Sequence, residues 1–522
     1  MVSERAAVAA PVHRELRSVA RGGTLNLAGY VVAGALGFVL AIVITRGLGA
    51  AGAGVVFGAI AVFTIAANVA ELGADTGVVR FIARANTLGG TSEIRAILGV
   101  ALVPAAIAAV VAGLAMWAGA DRLAGWFVGD RQADGAAFIR ALAPYLPFAT
   151  TATIALAATR GFGTMKPFVA IDSVLTPALR PLLVASLLAA GLGTTAVATG
   201  WGLPEAVACA AALVALAGLV RGLGPSTREP ARGLGTVARS FWRFSAPRGL
   251  AAAFQVTVLW IDVLLLGFFR PTAEVGVYAA ASRAVMVGTF ALQAVRLAIA
   301  PQIAALLARE DHDGAQTLYQ TATWWLMAVS WPVFLTFACF APLLLQVFGR
   351  SFASGQGAFA ILAIAMLVNL GTGNVTVVLL MGGKSTWNLA NTIVAIVLNV
   401  GLNLVLIPRF GMEGAAVAWA VSIVIDNVMA VIEVWWFLRM RPFGAGYAVV
   451  VAAALGCVGA VGVVVRLTIG ATVPGLAVFL LVAGAAYGAV LYRWRRVLRI
   501  DTFVASMRAA RTPPEPALLT EG

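Results

Sequence analysis

From Thr24 to Thr45 the chain runs for 22 residues without one Asp, Glu, Lys, Arg or His. At ~1.5 Å per residue a helix of that length crosses a hydrocarbon core of ~30 Å. It is too long for the apolar segment of a cleaved signal peptide, and no small-residue cleavage site follows a short one. An uncleaved first span is therefore expected, preceded by a polar tail at 1–23. Runs of the same kind recur near 52–74, 96–118, 139–159, 168–190, 203–220, 246–269, 276–299, 318–345, 356–381, 387–407, 414–437, 447–467 and 473–492. With the first, these predict an all-α polytopic membrane protein of about fourteen helices. Composition agrees: 61% of residues are hydrophobic and 11% charged, where a soluble chain would need roughly a quarter charged.

The net charge of +14 is distributed by side of the membrane. With the N-terminus in the cytoplasm, 26 of the 36 Lys and Arg fall in cytoplasmic segments and 8 on the opposite side. Arg180 and Arg283 fall within spans. This bias follows the positive-inside rule with both termini cytoplasmic, and it accounts for the charge without a nucleic-acid partner. Cys209, Cys339 and Cys457 lie in separate apolar runs with no ligand spacing, so neither a disulfide framework nor a metal site is expected. No cofactor is implied.

The organisation has a middle. The basic connection "RGLGPSTREPARGLGTVARSFWRFSAPRG" (221–249) has six spans on each side before the final two. The expected layout is a first lobe at 24–220, a cytoplasmic linker at 221–245, a second lobe at 246–437, two further helices within 447–492, and a cytoplasmic tail at 493–522. "GAAGAGVVFGAI" after the first span and "RPTAEVGVYAAA" after the seventh are variants of one hairpin. Aligning Gly54 with Gly276 gives an offset of 222 residues. "GMEGAAVAWAVS" after the eleventh span is a third variant. Parallel repeats about a central linker are a transporter architecture.

Polar residues then fall on single helix faces. The second span carries Thr64, Asn68, Glu71 and Asp75. The seventh carries Ser245, Arg248, Gln255 and Asp262, the eighth Ser282, Thr289, Gln293 and Arg296, and the twelfth Ser422, Asp426 and Glu433. Such residues can also be interhelical glue, the reading preferred for Asn391, Asn399 and Asn403. Asp262 and Arg283 lie deeper, where ionisable groups usually line a wet cavity. Arg283, Gln293, Gln255 and Asn68 are expected to line one common space. Asp262 and Arg283, on helices joined by a tight turn, are expected to neutralise each other when it is empty.

"IDVLLLGFF", "VGVYAAASRAV" and "APQIAAL" in the seventh and eighth spans resemble the polysaccharide-transport flippases of the MOP exporter superfamily. So do "RGGTLNLAGYVVAGALGFVLAIVITRGLGAAGAGVVFGAIAV" and "LGADTGVVRFIAR" near the start. The resemblance covers spans one to twelve. It implies two six-helix lobes working by alternating access, with two extra C-terminal helices. It also implies a polyprenyl-diphosphate-linked oligosaccharide carried to the outer leaflet of a bacterial plasma membrane. A diphosphate asks for bidentate arginine donors: Arg248, Arg283 and Arg296, with Arg46 and Arg80 at the rims. Gln255, Gln293 and Asn68 suit the sugar. Asp262, Glu71, Asp75 and Asp426 are candidates for ion or proton coupling. Membrane lipid and polysaccharide-assembly enzymes are the expected partners of a monomer. A lipid II flippase or a drug/cation antiporter of the same fold are alternatives, the latter disfavoured by the deep arginines. A membrane glycosyltransferase or polymerase would need a large outer loop. The longest here, Ala120–Ile139, is short, and both histidines, His13 and His312, fall in cytoplasmic segments, so no enzyme is expected.

Overall fold

The computed structural model describes residues 2–87, 91–223 and 233–499. The part of the expected linker at 224–232 and the tail from 500 lie outside them. No strand occurs among the described residues. Eleven of their helices are long and apolar enough to cross a membrane, so the fourteen expected spans are not all separate elements. The helices that matter below are α1 (Val2–Glu71), α2 (Ala74–Thr87), α3 (Leu146–Gly161), α4 (Thr176–Ala189), α5 (Thr194–Arg221), α6 (Leu234–Phe269), α7 (Thr272–Val287), α8 (Phe290–Ala308), α9 (His312–Cys339), α10 (Gln356–Gly371) and α11 (Ser385–Leu438).

Two of these are too long for one span. Straight, the 54 residues of α11 would extend about 80 Å. Each breaks at a glycine with left-handed backbone: Gly49 (φ 66°) in α1 and Gly411 (φ 58°) in α11. Only glycine takes this conformation without strain. In α11 the break is a reversal: a Cβ on Gly414 would overlap the carbonyl oxygen of Leu406 and lie 3.0 Å from the nitrogen of Ile407. These are the first and third hairpins of the sequence repeat. In the second, Arg270 and Pro271 separate α6 from α7.

The described chain forms two compact units. The first comprises residues up to Phe290 with Leu344–Phe359 and Ile396–Trp419. The second comprises Ala291–Leu343, Ala360–Ala395 and the remainder from Ala420. In the first unit Val78, Ile82, Ile94, Ile97, Ala155 and Phe241 pack into one buried cluster. Its helices approach at glycines. A Cβ on Gly54 would overlap the carbonyl of Thr272, and one on Gly276 would overlap that of Ala50 and lie 2.8 Å from the nitrogen of Gly54. The two glycines paired by the 222-residue offset therefore touch, as small residues do where membrane helices cross. A second close approach joins Gly73 to Gly249. The repeat hairpins are also tied together: Arg270 Nε donates to the Ile407 carbonyl (3.3 Å) and the Met412 N–H to Glu274 (3.3 Å). In the second unit Ile299, Ile303, Val375, Val378 and Val434 cluster about Tyr319. The Tyr319 hydroxyl donates to the Thr372 carbonyl at 2.7 Å.

Candidate functional site

Two polar centres lie among the membrane helices of the first unit. The larger is a cavity of about 250 Å³ enclosed by α1, α3, α4, α5 and the turn preceding α4. Asn68 and Glu71 enter it from α1, Thr153 from α3, Thr176 and Arg180 from α4, Trp201 and Glu205 from α5, and Asp172 from the turn. That turn, Val169–Leu175, is a π-helical stretch. Such bulges rotate a side chain out of the α-helical register and concentrate at functional positions. Arg180 is ion-paired with Glu205, and its guanidinium lies over Trp201, 4.1 Å from the ring centroid. One cation thus faces three carboxylates, those of Glu71, Asp172 and Glu205. Asn68 Oδ1 is buried with no hydrogen-bond partner. The cavity is equipped with acceptors for a cation or a proton.

The second centre surrounds Asp262, which is 5% exposed. Asn403 Nδ2 donates to one carboxylate oxygen at 2.6 Å and the Tyr278 hydroxyl to the other at 3.2 Å. Asn403 also donates to Asn399 Oδ1 at 3.1 Å, while its own Oδ1 is buried without a partner. The expected pairing of Asp262 with Arg283 is corrected. The Arg283 guanidinium lies over Trp260, 4.3 Å from the centroid. Depth is the reason. From the turn at Arg270 and Pro271, Asp262 stands about 12 Å down α6, Tyr278 about 10 Å down α7 and Arg283 about 18 Å down. The tyrosine meets the carboxylate at its own level, and the arginine passes below it. Hydrogen bonds to a charged group contribute about 1.5–3 kcal/mol. Asn403→Ala is expected to lower unfolding stability by about that much, and by clearly less in an Asp262→Asn background, as a double-mutant cycle by denaturant unfolding in detergent would read.

The remaining candidates are dispersed. Asp75 stands in the first turn of α2, where Thr76 donates to it at 3.2 Å. Arg248 and Gln255 are exposed on α6, and Arg296 is exposed on α8. Gln293, also on α8, is half-buried and belongs to the second unit. Asp426 is half-buried there, beside an Asn427 that bonds Asn369 (3.1 Å) and Thr372 (2.6 Å). Asn391 donates to Glu433 at 2.7 Å. The expected asparagine glue is thus present, with Asn391 and Asn403 each donating to a carboxylate. Missed at the sequence level were Asp172, Arg180 and Glu205. Asp172, Thr176 and Arg180 recur every fourth residue and form a stripe that could have been read. Among the described residues no three His, Cys, Asp or Glu are grouped so as to hold a metal ion.

Three comparisons with known proteins bear on this architecture. The family described as "MatE" matches residues 247–405. The probable low-salt glycan biosynthesis flippase Agl15 of Haloferax volcanii is 28% identical over 196 residues, which is 37% of this chain and 41% of that protein. The fold of the lipid II flippase MurJ in an inward closed conformation superposes with TM-score 0.68 at 9% identity, over 91% of this chain and 99% of that one. That of an inward-facing multidrug resistance MATE family transporter superposes with TM-score 0.64 at 15% identity, over 77% and 94%. The family described as "Polysaccharide biosynthesis protein" matches residues 19–307, more than half of the chain. The protein therefore belongs to the polysaccharide biosynthesis protein family.

Proposed function

We propose that the protein moves a polyprenyl-diphosphate-linked oligosaccharide from the cytoplasmic to the outer leaflet of a bacterial plasma membrane by alternating access. The observation that carries this reading is the placement of Arg283. It lies on the face of Trp260, which belongs to the candidate membrane span α6, and among the described residues it has no carboxylate within ion-pair distance. A guanidinium left without a counter-ion inside the membrane is costly unless a ligand supplies the charge, and a diphosphate fits its planar donor fork. The partial sequence match to a glycan flippase supports the same class of cargo. In this reading Asp262 does not compete for Arg283. It acts with Glu71 and Asp172 as a candidate coupling group, each in a centre already furnished with polar neighbours. Arg248 and Arg296, both exposed, are proposed for the approach of the headgroup, and Gln255, Gln293 and Asn68 for the sugar. The test is binding of a lipid diphosphate to purified variants. Arg283→Ala is expected to weaken it by about 1–3 kcal/mol, with Arg283→Lys recovering part, because a point charge replaces the charge but not the fork. Equal affinity in all three proteins would remove Arg283 from the substrate path.

A further inference from the structure

A groove of about 450 Å³ lies where α2 meets the N-terminal end of α6. Thr236, Arg239, Ser240, Arg243 and Phe244 line it from one face of α6, and Arg80 and Phe81 from α2. Arg80 lies over the Phe244 ring at 4.2 Å, and Arg248 lies over the same ring at 4.8 Å. Two guanidinium groups therefore lie over one aromatic ring, and Arg239 and Arg243 line the same groove. Among the described residues none of them is ion-paired to a carboxylate. Like charges held this close repel, and with no acidic partner the arrangement calls for an external anion.

Its position says what kind. Helix α6 has 36 residues and is about 54 Å long, well beyond a ~30 Å hydrocarbon core. Its apolar run begins near residue 249, so residues 236–244 lie at headgroup level. Arg239, Ser240 and Arg243 face outward there, and Phe81, Trp242 and Phe244 supply the aromatic residues typical of an interface. Basic clusters immediately beside a membrane span attract anionic lipid.

We propose that this groove binds the phosphate of an anionic membrane lipid, with Arg80, Arg239 and Arg243 as bidentate donors and Thr236 as a hydroxyl donor. The site is separate from Arg283, and its donors do not include Arg248, proposed above for the approach of the glycolipid headgroup. Bound phosphate would bridge α2 to α6 beside the Gly73–Gly249 contact, and so would stabilise that junction.

The full-length protein in neutral detergent tests it. Thermal unfolding is followed while phosphatidylglycerol, phosphatidylcholine or sodium phosphate is added. Phosphatidylglycerol is expected to raise Tm in a saturable way, and phosphatidylcholine is not. Arg239→Gln with Arg243→Gln is expected to weaken the apparent affinity roughly tenfold or more, as loss of charge-assisted contacts requires. Arg239→Lys with Arg243→Lys should fall between. Arg309→Gln, an exposed arginine of the other unit, should match the unaltered protein. Should the glutamine variant not fold, the lysine variant and the lipid comparison still decide. The proposal is overturned if phosphatidylcholine protects equally, if the substitutions at 239 and 243 change nothing, or if Arg309→Gln has the same effect. Equal protection by free phosphate at matched concentration would show a soluble-anion site and overturn the lipid assignment.

Discussion

A leucine at Gly276 is expected to destabilise the protein by about 3 kcal/mol, the upper part of the range for overpacking a tight interface. The reason is geometric. Even a Cβ there would overlap the Ala50 carbonyl, so relief requires that α1 and α7 move apart along their length. Gly54→Leu should cost about as much, because its Cβ would overlap the Thr272 carbonyl from the other side. Since one separation relieves both clashes, the double substitution should cost far less than the sum. Unfolding in detergent, followed for the two single variants and the double, reads this directly. Additive losses would mean that the two glycines do not share one contact.

Arg180→Ala is the second large effect. Arg180 and Glu205 form an ion pair with side chains 20% and 15% exposed. Removing one partner of a buried pair typically costs about 3–5 kcal/mol, because the other charge is left without compensation. The residual exposure puts this pair near the lower end, about 3 kcal/mol. The cavity would also be left with Glu71, Asp172 and Glu205 and no cation. Arg180→Ala with Glu205→Gln should recover much of the loss, since the orphaned charge is gone. If the double variant is no better than Arg180→Ala alone, the loss reflects Arg180 packing on Trp201 and not charge.

Much of the helical fold was legible because a membrane imposes a length and an apolar composition on each helix that crosses it. The repeat was legible at Gly54 and Gly276 because close helix crossings admit only small residues. The hairpin glycines Gly49 and Gly411 likewise fall where the apolar runs turn. The candidate site was legible only in part. A stripe such as Asn68–Glu71 shows which face of one helix is polar, but not which helices meet it. Asp172, Thr176 and Arg180 share one face, but the groups that give that face its meaning, Glu71 and Glu205, come from other helices. Asp262 stood out as a deep carboxylate. Its partner was misjudged because nearness along the hairpin was weighed before depth: Tyr278 is level with it, and Asn403 comes from 141 residues away.

We propose that this protein carries a lipid-linked glycan across the bilayer with Arg283 on the path. The proposal is met most directly by reconstituting the protein in liposomes with a polyprenyl-diphosphate oligosaccharide and following the lipid's exposure to a membrane-impermeant glycan-oxidising or lectin probe. The expected result is protein-dependent translocation that Arg283→Ala abolishes and Arg283→Lys restores in part. Translocation no faster than in protein-free liposomes, or undiminished in Arg283→Ala, would contradict it.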